Sequence, residues 1–152
     1  MTIAGRLHTA VRPYRVRPTR ATIRRFAASI GATDPSCFDV SAARAAGHPD
    51  LLAPPTYLFG LDMEQGRVFD MLESAGADPR DCLHVEQEFI YGAPVHAGRA
   101  LVFTPTFDTE GHHRRGMEFL TRRTVVHRDD GTEVAALRQV IAVPSPADGT
   151  AA

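Results

Sequence analysis

The chain has 152 residues, of which 43% are apolar and 23% charged, with a formal net charge of −1; that is an ordinary composition for one soluble globular domain. It excludes a strongly basic field for nucleic acid or an anionic membrane, and no apolar run approaches the ~20 residues of a membrane span. The opening stretch MTIAGRLHTAVRPYRV lacks the apolar centre of a signal peptide. Cys37 and Cys82 therefore read as free thiols of a cytoplasmic protein, in which disulfides rarely persist.

In chain order, His8 to Val16 is a candidate entry strand, with Pro13 favouring an edge position. Thr19 is placed to cap a helix running through Ile30, since Ile23, Phe26, Ala27 and Ile30 share one face and Gly31 follows as a stop. Residues 34–39 read as a loop around Asp34-Pro35, and Ser41 as the cap of a short Ala-rich helix ending at Gly47. Thr56 is the expected cap of a single long helix that carries Leu58, Leu61, Val68, Phe69 and Leu72 and ends at Gly76.

Strands are expected from there on: Leu83 to Tyr91, Ala100 to Asp108, Gly116 to His127 and Val134 to Val143, in hairpin-like succession. Asp130-Gly131 is a strong hairpin turn, and His112-His113 falls in another predicted turn. The order of elements implies an α+β fold, an antiparallel sheet with helix segregated to one face. One domain is expected over residues 1–152, with its core over about 10–144 and a loose tail over 145–152.

Four collinear stretches add a resemblance. FAASIGATDPSCFD (26–39), LLAPPTYLFGLDM (51–63), LHVEQEFIYGAPVHAG (83–98) and GMEFLTRRTVVHRDDGTEV (116–134) together resemble the MaoC-like dehydratase N-terminal domain family. That family includes the non-catalytic subunits of mycobacterial hydroxyacyl dehydratases. The resemblance implies a hot-dog fold, an antiparallel sheet wrapped around a long central helix. It also implies pairing with a second hot-dog subunit, substrates carried as CoA or acyl-carrier-protein thioesters, and reversible hydration of a 2-enoyl thioester. The family usually has Gly where this chain has Val85 and Asp where it has Arg99.

Hydration of an enoyl thioester needs an acid/base pair and donors for an enolate-like oxygen. The resembled hydratases supply the pair in a Gly-Asp-x-Asn-Pro-x-His pattern. Aligned on Pro35, this chain carries Ala32 at the acid position and Cys37 at the histidine position. Alanine moves no proton, and an ordinary thiol with a pKa near ~8.5 suits the role poorly. The remaining candidates for catalysis are Asp34 and Asp39, five residues apart, and His84, which strand alternation places on one face with Glu86. Against these roles stand structural ones: Asp34 capping its Asp-Pro turn, Asp39 capping the next helix, and His84 in a hydrogen-bond network or a dimer contact.

The start of the long helix, with Pro55, Thr56, Tyr57 and Gly60, is the candidate substrate-binding segment. Free N–H groups and the helix dipole there suit a thioester carbonyl. No His/Cys/carboxylate spacing supports a metal site, and no cofactor is expected. Three functions fit: a dehydratase subunit completed by a partner that carries the dyad, as homodimer or heterodimer; a self-sufficient thioesterase or enoyl-thioester conjugate-addition enzyme; and a non-catalytic acyl-thioester binder. The first two make the chain a hydro-lyase-type or related enzyme.

Overall fold

The computed structural model describes residues 2–145. The tail expected over 145–152 lies outside the described residues from 146 onward; the Ser145 N–H itself donates to the Gly116 carbonyl at 2.9 Å. The chain opens with a helix, α1 (Ile3–Ala10), where a strand was expected from His8. The Thr2 hydroxyl accepts the Gly5 N–H at 3.1 Å, and the buried Glu118 carboxylate accepts the Ala4 N–H at 3.2 Å. With Ile3, Ala4 and Leu7 all buried on one face, His8 to Ala10 is drawn into this helix. The entry strand shrinks to β1 (Tyr14–Val16), which does lie at a sheet edge beside Pro13.

Helix α2 (Arg20–Ser29) is held by a reciprocal capping box between Thr19 and Thr22. Ile23 and Ala27 are buried, but Ile30, expected on the same face, is the C-cap and lies half exposed. In α3 (Val40–Ala45) the cap is Asp39, not Ser41: the Asp39 carboxylate accepts the Ser41 N–H at 2.7 Å.

The single long helix is in fact two, α4 (Tyr57–Gln65) and α5 (Val68–Ser74). Arg67 adopts a left-handed conformation (φ 50°) that ends the α4 ladder. Gly66 cannot be replaced without movement, because a Cβ there would sit 2.4 Å from the Asp62 carbonyl oxygen and 3.1 Å from Arg122 Nη2.

The sheet is wholly antiparallel. It comprises β1, β2 (Leu83–Tyr91), β3 (Leu101–Phe107), β4 (His112–Arg114), β5 (Met117–Arg128) and β6 (Glu133–Pro144). The order is β1-β3-β5-β6-β2, with β4 added to β5. The succession is thus not a plain meander: β2 crosses to pair with β6, and only β5 and β6 form the Asp130-Gly131 hairpin. His112 and His113 lie in β4, and the turn falls at Arg115-Gly116, both at positive φ (52° and 76°). Such a pair of left-handed residues matches the twist of a tight hairpin.

Leu101, Phe103, Pro105 and Phe107 turn one face of β3 into the core. Pro105 lies beyond the last residue paired with β1, so its missing N–H breaks no ladder bond on that side. Two buried clusters fill the space between sheet and helices. One joins α4 to β3, β5 and β6 through Leu58, Leu61, Phe103, Val126 and Leu137. The other joins α1 and α5 to the same sheet through Leu7, Leu72, Phe107, Leu120 and Ile141. Among the described residues no helix is long and apolar enough to cross a membrane.

Candidate functional site

Three segments meet at the N-terminal end of α4. The Leu52 N–H donates to the Ser36 carbonyl at 3.0 Å, docking the 34–39 loop. Leu52 bridges His96, Ala53 N–H donates to the Val95 carbonyl at 2.9 Å, and Ala97 N–H donates to the Leu51 carbonyl at 3.0 Å. The segment 51–55 is thereby clamped between the dyad-type loop and the loop that follows β2. Gly92 is needed in that second loop: a Cβ would lie 2.9 Å from the Glu133 carbonyl oxygen. Arg128 ties the loop down by donating to the Pro94 carbonyl at 2.7 Å.

Between these segments opens a cleft of about 310 Å³, lined by residues 52–55, Leu58 and residues 91–95. Pro55, one of the candidate substrate-binding residues, lines it. Tyr91 is the one lining residue with a protic side chain; the rest are Leu, Ala, Pro, Gly and Val. An apolar cleft with few polar groups is the usual form of a small-molecule site.

The donors at the head of α4 are fewer than the sequence suggested. Pro54 and Pro55 have no N–H. Tyr57 N–H donates to the Pro54 carbonyl at 3.0 Å and Phe59 N–H to the Thr56 carbonyl at 3.1 Å. Among the described residues that leaves the Thr56 and Leu58 amides without a hydrogen-bond acceptor. Thr56 does not cap the helix with its side chain and itself sits in a helical conformation. The helix dipole is nonetheless directed at this end of the cleft.

Tyr57 and Gly60 belong to a different place. The Tyr57 ring is buried edge-on against Phe26 (5.5 Å between centroids) and its hydroxyl shares a 2.8 Å hydrogen bond with Thr22. Burial pushes its pKa up. With Gly60 it lines a separate groove of about 330 Å³ between α2 and α4, where the Phe26 ring packs 3.3 Å from a Gly60 Cβ position.

In the 34–39 loop the two aspartates are both engaged locally. Asp34 accepts the Ser36 N–H at 2.9 Å within its own turn, and Asp39 is occupied at the head of α3. Cys37 is buried, and burial, with the Asp34 charge beside it, pushes its thiol pKa up, so it stays protonated near neutral pH. Ala32 is half-buried.

His84 is exposed at the other end of β2, stacked on Phe59 of α4 at 5.1 Å. Its expected companionship with Glu86 does not occur. A β-bulge between the two sets His84 opposite Ile141 and Glu86 opposite Val140, on opposite faces of the sheet. His84 Nε2 lies 3.1 Å from the Glu86 carbonyl, while the Glu86 carboxylate pairs with Arg138 across the other face at 2.7 Å.

Behind the cleft wall sits a pair that sequence reasoning missed. His48 Nδ1 and His96 Nε2 share a hydrogen bond at 3.0 Å. His96 is buried, and its pKa is lowered by that burial, by His48 and by Arg128 and Arg99, against a smaller opposing pull from Asp50. Tyr91 and His96 both fall inside the quoted segment 83–98, but nothing in strand periodicity marks a residue at a strand end as part of a cleft.

The chain matches the model of the FAS1-like dehydratase domain region over residues 8–137. It belongs to this family of MaoC-like dehydratase domains. A UPF0336 protein of Streptomyces coelicolor is 35% identical over 133 residues, covering 87% of this chain and 86% of the relative. One from Leifsonia xyli subsp. xyli is 41% identical over 106 residues, covering 68% of each. Among solved structures, the C-terminally truncated HadBC (3R-hydroxyacyl-ACP dehydratase) complex of Mycobacterium tuberculosis superposes with a TM-score of 0.74 at 23% identity, over 87% of this chain and 92% of that one. The ChsH1-ChsH2 complex of the same organism gives 0.69 at 20% identity, over 97% and 92%. The fold is accordingly the hot dog: β1 to β6 are its sheet, and α4 with α5 its interrupted central helix.

Proposed function

We propose that this MaoC-like chain is a cytoplasmic acyl-thioester-holding subunit of a dehydratase or hydratase, completed by a second hot-dog subunit that brings the Asp/His dyad. The observation that carries this reading is the apolar cleft at the head of α4, next to a loop whose two dyad positions hold Ala32 and a buried, protonated Cys37. Such a cleft holds an acyl chain by burial and orients its thioester carbonyl toward the Thr56 and Leu58 amides, but supplies no base. The reaction assigned to the pair is reversible water addition to a 2-enoyl thioester of CoA or an acyl carrier protein.

Strand β2 supports the pairing. It is a sheet edge, and Leu83, Val85, Ile90 and Tyr91 on it are 48–63% exposed. A long, apolar, unpaired edge strand is a template for pairing with another chain. A related, dyad-bearing hot-dog subunit is the partner this reading requires on that edge.

The test is a hydration assay on crotonyl-CoA with the purified chain alone and mixed with a dyad-bearing hot-dog subunit. Turnover by the mixture and none by either chain alone is expected; full turnover by this chain alone overturns the reading. In that event a self-sufficient hydratase, thioesterase or conjugate-addition enzyme remains. Its groups would be His84, Asp34 and Asp39, and unchanged turnover with alanine at all three would remove them too.

A further inference from the structure

The cleft closes on one side where residues 51–53 meet residues 95–97. Ala53 N–H donates to the Val95 carbonyl at 2.9 Å and Ala97 N–H to the Leu51 carbonyl at 3.0 Å, while Leu52 and Val95 line the cleft itself. His96 sits between those two main-chain links, in bridge register with Leu52. His48 stands three residues ahead of Leu51. Gly47 turns the chain there in a left-handed conformation (φ 91°), and the His48 N–H donates to the Ala43 carbonyl at 2.9 Å. The 3.0 Å bond between His48 Nδ1 and His96 Nε2 is therefore a side-chain clasp across the same seam.

We propose that this bond is a proton-sensitive latch on the cleft. It holds residues 51–53 against 95–97 while the pair is neutral; when acid protonates both rings it opens, and the cleft loosens its hold on the ligand. The chemistry of the bond sets the sign. One imidazole donates its N–H and the other accepts through the lone pair of its facing nitrogen. A first proton can go to the outward nitrogen of the donor ring, which leaves the bond intact. A second must go to the facing nitrogen of the acceptor ring. Both facing nitrogens are then donors, no acceptor remains between them, and two cationic rings confront each other. Arg99 and Arg128 face His96 from the loop before β3 and from the end of β5, while Asp50 is the acid that faces it. That carboxylate is already engaged by Arg20 through both oxygens, at 2.9 and 2.7 Å, and by the Leu51 N–H at 2.7 Å, with Arg44 also beside it. Burial acts in the same direction as the arginines, so His96 takes a proton less readily than an ordinary imidazole and the latch stays shut at neutral pH. The closed pair binds fewer protons than the open one, so a fall in pH below about 6.5 favours opening.

The experiment uses the full chain in the assembly in which it purifies, from pH 7.5 to 5.5. Hydrogen exchange at the Ala53 and Ala97 amides is followed by NMR, relative to amides of the β5–β6 ladder and corrected for intrinsic exchange. Butyryl-pantetheine, which carries no phosphate to titrate, is bound in parallel by calorimetry. The choice of ligand rests on the acyl-thioester reading above; the exchange measurement does not. Wild type should lose protection at both amides in acid. It should also bind the ligand about 3- to 10-fold more weakly at pH 5.5 than at pH 7.5, the worth of one neutral hydrogen bond. His48→Asn puts a carboxamide, which can either donate or accept, in the place of Nδ1 and should flatten both profiles; His96→Gln does the same from the other side. Constant protection in the wild type, or an equal decline in both variants, overturns the latch. A ligand that binds at no pH overturns the thioester reading alone, and loss of protection at Ala53 and Ala97 still upholds the latch.

Discussion

Asp62 and Arg122 form an ion pair buried at the centre of the helix–sheet interface, with 3% and 1% of their side chains exposed. Arg122 Nη2 donates to Asp62 Oδ1 at 2.9 Å, and its Nη1 to the other carboxylate oxygen, a bidentate fork. Tyr14 donates its hydroxyl to the same carboxylate, joining β1 to α4 and β5. Burial and the Asp62 charge raise the Tyr14 pKa far above its ordinary range, so it remains a donor.

Removing one partner of such a pair strands an uncompensated buried charge. Asp62→Ala should therefore lower unfolding free energy by about 3–5 kcal/mol, and a double change to Asp62→Leu with Arg122→Met should cost clearly less than the single one. Tyr14→Phe, which loses one bond to a charged group, should cost about 1.5–3 kcal/mol. Urea denaturation of the three variants checks the order.

This pair also shows where the sequence was and was not legible. The strands β2, β3, β5 and β6 and the capped helix α2 were readable, because period-2 and period-3.6 burial leave a direct trace, whereas the three-residue β4 reads as a turn. The break at Gly66-Arg67 was not readable, since it depends on a carboxylate and guanidinium that meet across 60 residues and crowd the Gly66 Cα. The opposite orientations of His84 and Glu86 were hidden for a related reason: a bulge adds one residue to β2 without altering its composition, and every inference from alternation flips beyond it. The alignment on Pro35 that puts Ala32 and Cys37 at the resembled dyad positions is a local feature of the sequence, and the structure adds that Cys37 is buried. The cleft itself was not legible, being assembled from segments about 40 residues apart.

The His48–His96 pair should make stability fall with acid. His96 is folded with its pKa lowered below its ordinary 6.5. Above about pH 6.5 the ring is neutral in both folded and unfolded chains, and the stabilisation of the pair is fully present. As pH drops below that value the unfolded chain takes up the proton first, so unfolding is favoured increasingly until the folded-state pKa is passed. The groups facing His96 are His48, Arg128, Arg99 and Asp50, and three of the four oppose a second positive charge. The melting temperature should decline from pH 7.5 to 5.5. His96→Gln should start lower at pH 7.5 and decline less steeply, and a parallel decline would remove the pair as the cause.

The pairing through β2 proposed above predicts that a charge on the outer face of this strand separates the subunits without unfolding either. Ile90 is 63% exposed, opposite Ala136, and contributes to neither core cluster. Ile90→Lys leaves the β2–β6 ladder intact but places an ammonium where an edge-paired strand would lie, the device by which natural sheets prevent such pairing. Light scattering of the variant should give the mass of a single chain, with a melting temperature that no longer depends on protein concentration. An unchanged assembly mass would move the interface away from this edge.

Cys37 should be chemically silent in the folded chain. It is 3% exposed, with its thiol pKa raised first by burial and then by the Asp34 charge, whereas a reactive cysteine needs an accessible thiolate in an electropositive setting. Cys82 is partly exposed and is hydrogen-bonded through its thiol to the Asp78 carbonyl at 3.2 Å; its pKa is raised as well, by burial and by Asp78 and Asp81. Iodoacetamide at pH 7.5 should therefore label Cys82 slowly and Cys37 much more slowly still, with both reacting at the rate of a free thiol only in denaturant. Mass spectrometry of the tryptic peptides separates the two sites. Rapid native-state labelling of Cys37 would mean that the 34–39 loop opens away from Leu52, and would return a usable nucleophile to the position where the resembled hydratases carry histidine.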